Sequence, residues 1–84
     1  MIDARIKKKV HRIMDLCFDA KDFGHDCFFN YSPHVQQFEF YLYKNGWIEE
    51  KKQDIKRNTY LNDDSSEIEL DKMIEFLENL IEES

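Results

Sequence analysis

The feature that most constrains the fold is the stretch VQQFEFYLYKNGW, Val35 to Trp47, in which Phe38, Phe40 and Leu42 alternate with Glu39, Tyr41 and Tyr43. A period of two places successive side chains on opposite faces of a strand, so one face is apolar and the other is open to polar and amphipathic groups. The chain of 84 residues is one domain, residues 1–84. At that size only about 60 to 65% of the unfolded surface is buried, which calls for a single thin core. Seven Phe, four Tyr and one Trp supply large areas for it and argue against disorder.

Helical spacing flanks this strand on both sides. Ile2, Ile6, Val10, Ile13, Met14 and Cys17 recur at steps of three and four, predicting a helix from about Ile2 to Lys21 with Asp3 near its start and Phe23-Gly24 as its stop. Asp26 to Tyr31 reads as a strand with Cys27, Phe29 and Tyr31 on one side and Phe28 on the other, ended by Ser32-Pro33. The main strand then runs from His34 or Val35 to Lys44.

Asn45-Gly46 is the strongest turn signal, because both residues tolerate positive φ. A strict two-residue hairpin there would set Gln53, Lys51 and Glu49 opposite Phe38, Phe40 and Leu42 and bring polar groups into the core. A wider excursion is therefore expected, with a third strand over Gln53 to Leu61. Ile55 and Leu61 face inward in that strand, and Arg57 and Thr59 share their parity. After the polar break Asn62 to Ser65, Ser66 and Glu69 fit an S-x-x-E capping box. Leu70, Met73, Ile74, Leu77, Leu80 and Ile81 form the apolar stripe of a second helix over Glu67 to Glu82. The expected fold is α+β, a two-layer α-β-β-β-α arrangement with a three-stranded antiparallel sheet and both helices on one face.

Net charge is −6, and the acid is concentrated at one end: residues 63–84 hold nine carboxylates against Lys72. Acid at the start of a helix suits its dipole, whereas Glu82 and Glu83 lie at the negative end and each costs a few tenths of a kcal/mol. A locally unfavourable row of carboxylates suggests either a partner or pressure for solubility. Such a row, Glu67, Asp71, Glu75, Glu78, Glu82 and Glu83, suits a groove on another protein built for phosphates. Glu39, Tyr41, Tyr43 and Trp47 form a second candidate surface, since Tyr and Trp dominate interface hot spots. Trp47 equally suits a place over the end of the core. A third candidate is the basic face Arg5, Lys7, Lys8, Lys9 and Arg12 of the first helix, which together with the open-face aromatics suits single-stranded nucleic acid, or else neutralises the neighbouring acidic helix. Self-association through either helix is a further expectation.

Chemistry is poorly represented. His25, Cys27 and His34, with Cys17, are of zinc-ligand type, but their spacing matches no finger or ribbon, and a core thiol with loop histidines accounts for them better. A Cys-His nucleophile needs an anion-binding loop, and Gly24 and Gly46 are the only glycines. The expectation is a protein that is not an enzyme and has no metal or cofactor. Cys17 and Cys27 are expected as reduced thiols, because no apolar run follows the basic first residues to make an export signal. No stretch approaches the roughly 20 apolar residues of a membrane span, so a cytoplasmic location in the host cell is expected.

His34-Val35, the aromatic strand ending Tyr43-Lys44-Asn45-Gly46-Trp47, then Asp54 and Tyr60-Leu61 before an acidic amphipathic helix, resembles small uncharacterised proteins of phages and mobile elements of Gram-positive bacteria. The resemblance covers roughly residues 28–81 and implies a cytosolic accessory protein with no catalytic residues. In size, acidity and element order the chain is also similar to some small acidic anti-CRISPR proteins, which imitate DNA; the basic first helix departs from that pattern. The expected function is a non-enzymatic phage or mobile-element protein that binds another protein through its acidic helix and open sheet face, the likenesses implying inhibition of a nucleic-acid-handling host defence enzyme. The basic face of the first helix gives the alternative, a small nucleic-acid-binding module.

Overall fold

A computed structural model describes residues 2–50 and 52–83. The order is α1 (Ala4–Asp22), β1 (Asp26–Ser32), β2 (Gln37–Tyr43), β3 (Ile55–Tyr60) and α2 (Ser66–Glu83). The strands form one antiparallel sheet in the order β1-β2-β3, and both helices pack on one face of it, α1 over β1 and α2 over β3, against each other. This is the expected α+β sandwich.

The alternation in the central strand sets the core. Phe38, Phe40 and Leu42 are completely or almost completely buried. They meet Ile6, Ile13, Leu16 and Cys17 of α1, and Leu70, Met73, Leu77 and Leu80 of α2. Ala20 is also fully buried. Leu16 and Ala20 lie outside the stripe read from the sequence, while Ile2, Val10 and Met14 within it are only half-buried. The cause is that α1 faces two neighbours at once, α2 and the sheet, so its apolar sector is wider than one row and is displaced toward α2.

Helix ends follow local chemistry. Asp3 caps α1, its Oδ1 accepting from the Arg5 amide at 2.7 Å, and that bond holds its carboxyl below the usual carboxylate range. Gly24, at φ +84°, lets the chain leave α1 at the expected place. At α2 the capping box does not form. The Ser66 hydroxyl donates to the Leu61 carbonyl at 3.5 Å, and the Glu69 amide bonds to the Ser65 carbonyl. The entry is organised instead by Asp63, whose Oδ1 accepts from both the amide and the hydroxyl of Ser65 at 2.9 Å, an Asx-type turn.

The excursion after β2 is wide, as the burial argument requires, and β3 begins at Ile55 rather than Gln53. Phe38, Phe40 and Leu42 pair with Thr59, Arg57 and Ile55. Lys51, the partner of Phe40 in the rejected hairpin, lies outside the described residues. Thr59 is buried and Arg57 is exposed, so the arginine reaches solvent from a core-parity position at the sheet edge. Asn45 and Gly46 both have positive φ, 64° and 96°, and they start the excursion rather than close a hairpin. His34 and Val35 lie in the turn before β2, which starts at Gln37.

Candidate functional site

The face of the sheet turned away from the helices carries an aromatic cluster. Antiparallel partners share a face, so the register puts Phe28, Tyr41 and Lys56 in one row, Asn30, Glu39 and Asn58 in the next, and Ser32, Gln37 and Tyr60 in the last. Phe28 stacks on Tyr41 with ring centroids 5.5 Å apart and planes at 15°. It meets Tyr43 edge-on at 5.6 Å. Phe28 is 41% exposed and Tyr41 and Tyr43 are half-buried, so the three rings are organised by one another with Phe28 the most open to solvent; Tyr60, 48% exposed, lies two rows away. Sequence reasoning placed Glu39, Tyr41 and Tyr43 here and left out Phe28, Lys56 and Tyr60. The parity of Phe28 within DCFFNY was legible; its contact with Tyr41 depends on the register.

Trp47 does not close the end of the core: it is 54% exposed, beside Ile48 at 62%. Its amide donates to Asp26 Oδ2 at 2.7 Å, while Lys21 Nζ donates to Asp26 Oδ1 at 2.8 Å. Asp26 thus ties α1, β1 and the excursion together, and the Lys21 hydrogen bond, followed by that of the Trp47 amide, keeps its carboxyl below the usual range. The buried His25 Nδ1 accepts from the Asn45 amide at 3.3 Å in the same corner.

The charged helices largely answer each other. Lys9 Nζ lies 2.6 Å from Asp71 and 3.5 Å from Glu67, and Arg12 lies 3.7 Å from Glu78. The hydrogen bond to Asp71 raises the Lys9 ammonium above its ordinary value. Arg5 is held by Asp3 on its own helix at 3.4 Å. Of the six candidate carboxylates of α2, Glu75, Glu82 and Glu83 make no ion pair among the described residues, and of the five candidate bases of α1 the same holds for Lys7 and Lys8. Both helices lie across the sheet from Tyr41 and Tyr43. The basic residues and the aromatic face therefore do not make the single nucleic-acid surface expected from the sequence, and the acidic helix and the open sheet face are likewise two surfaces.

His25, Cys27 and His34 do not converge. His25 is occupied at the β1 corner, His34 is exposed in the turn before β2, and among the described residues no three His, Cys, Asp or Glu side chains are placed to hold an ion. Cys17 and Cys27 are free thiols brought together from α1 and β1. The hydrogen bond between them raises the more deeply buried Cys17 and lowers Cys27.

No family model, curated protein or solved structure matches this chain. Among the described residues no helix is long and apolar enough to cross a membrane.

Proposed function

We propose that this chain is a non-enzymatic binding module that docks another protein on the open face of its sheet. The observation that carries the proposal is the stacked Phe28–Tyr41 pair with Tyr43 against its edge, on the sheet face that no helix covers, with Phe28 exposed and both tyrosines half-buried. Such rings offer a rigid, amphipathic anchor that loses little conformational entropy on binding. The net charge of −6, with Glu75, Glu82 and Glu83 on α2 making no ion pair among the described residues, supports long-range attraction of a basic partner. A host enzyme that handles nucleic acid has that basic chemistry, which is the inhibitor role implied by the phage-protein and anti-CRISPR resemblances.

The test is capture of partners from host lysate by the tagged chain, with and without nuclease, alongside the Phe28→Ser/Tyr41→Ser double variant. A protein retained through nuclease treatment and lost with the variant supports the reading. Recovery that vanishes with nuclease favours nucleic acid stacked on the same rings beside Lys56. A protein held equally by the variant contradicts the open-face site. Glu75→Gln, Glu82→Gln and Glu83→Gln together are expected to slow association with the captured protein and leave dissociation unchanged.

A further inference from the structure

The sheet has a second feature, on the helix side and at its β1 edge. β1 pairs with β2 alone, and among the described residues no backbone group of another segment bonds to its outer edge. Alternate N–H and C=O groups on that edge are therefore a template for another strand. Exposed edges are usually guarded by lysine, proline, a bulge or a covering segment. The opposite edge strand, β3, carries Lys56 and Arg57, whereas β1, with sequence DCFFNYS, has no lysine, arginine or proline.

A groove of about 400 Å³ runs beside this unguarded edge, between β1 and α1. Phe29 and Tyr31 of β1 form one wall and Val10 and Met14 of α1 the other, with Phe38 also lining it. Phe29 and Tyr31 pair with the buried Phe40 and Phe38 yet are 38% and 43% exposed, so apolar area of core parity is left uncovered. Lys7 and His11, both exposed, also line it, together with Ile2, Asn30 and Leu61. Lys7 makes no ion pair among the described residues, unlike Lys9 and Arg12, which α2 neutralises.

We propose that the outer edge of β1 and this groove bind an extended segment of another protein, added as a fourth strand with alternate apolar side chains in the groove and a carboxylate on the same side meeting Lys7. Unpaired strand amides select an extended backbone, the apolar walls select alternate side chains, and Lys7 selects the charge. A second copy of this chain fits less well. Pairing β1 with its own copy would bring Lys7 and His11 of both α1 helices together across the seam, between chains that each carry −6. The groove is separate from the Phe28–Tyr41 cluster, which lies on the other face of the sheet, and this site stands or falls independently of that one.

The experiment is an amide chemical-shift titration of the whole chain with the heptapeptide TVTITET, whose valine, isoleucine and glutamate share one side when extended. Saturable shifts are expected at Phe29 to Tyr31 and along Val10 to Met14, with slowed exchange of alternate β1 amides. Lys7→Glu is expected to weaken this peptide about fivefold and to restore affinity for TVTITKT, the exchange expected of a rim charge. Tyr41→Ser is expected to leave the titration unchanged. Absence of saturation at millimolar peptide, shifts centred on Phe28 and Tyr41, or equal binding of the peptide N-methylated at alternate backbone amides would each overturn the proposal. Protection of β1 that grows with protein concentration in the absence of peptide would overturn it in favour of a self-paired edge.

Discussion

Phe40 and Tyr41 are neighbours in sequence and opposites in environment, and comparing their truncations tests the layer arrangement directly. Phe40 is fully buried at the centre of β2, between Phe29 and Arg57 in the sheet and beneath both helices. Phe40→Ala removes a buried ring and leaves a cavity that both layers must collapse to fill, a loss of about 3–5 kcal/mol. A chain of this length has roughly 4–12 kcal/mol of stability in total, so the variant is expected to lose a large share and to melt at least about 12 °C lower. Tyr41→Ala loses the stack on Phe28 and its cross-strand neighbours, about 0.5–1.5 kcal/mol. The assay is urea unfolding followed by far-ultraviolet circular dichroism, with Phe40→Leu as the milder probe if Phe40→Ala is partly unfolded in buffer. Equal losses at the two positions would refute the reasoning, because they would mean that a second layer covers the open face.

Three further outcomes are expected. Asp26 has its folded-state pKa lowered, so it stabilises the native state above the unfolded value near 4 and that contribution is lost as pH falls through the lower folded value. Asp26→Asn should therefore flatten the acid limb of the stability profile, and an unchanged slope would contradict the assignment. In Gly46→Ala the new methyl would meet Asp26 Oδ2 at 3.7 Å and Gly24 O at 3.8 Å, ordinary van der Waals contacts with no clash. The cost then comes from φ alone, about 1–2 kcal/mol in the same unfolding assay. Cys27, half-buried and with the lowered thiol, should be alkylated by iodoacetamide before the buried Cys17, as read by peptide mass spectrometry; equal rates would contradict the asymmetry between the two thiols.

Patterns set by local periodicity were legible in the sequence. The period-two run Phe38, Phe40, Leu42 located the central strand, and the polarity of Glu49 and Gln53 ruled out the tight hairpin that Asn45-Gly46 alone suggested. Properties that depend on which elements become neighbours were not legible. Ser66 and Glu69 have capping-box spacing, but the Ser66 hydroxyl is drawn to the Leu61 carbonyl, and Asp63 organises the turn. Lys9 and Arg12 read either as a basic surface or as neutralising the acidic helix, and only the packing of α2 beside them decides for the second. Phe29 and Tyr31 have core parity yet stay partly exposed, because β1 is an edge and α1 covers it incompletely. The Phe28–Tyr41 stack and the Cys17–Cys27 contact each required a register or a helix position that no single segment encodes.

The central claim is that a protein partner seats on the open sheet face. Its most direct test is a benzophenone photocrosslinker introduced in place of Tyr41 in one chain and of Glu75 on α2 in another, each irradiated in nuclease-treated host lysate. The account predicts a discrete protein adduct from position 41 that is absent or much weaker from position 75. An adduct from position 75 alone would move the interface to the acidic helix and contradict the account.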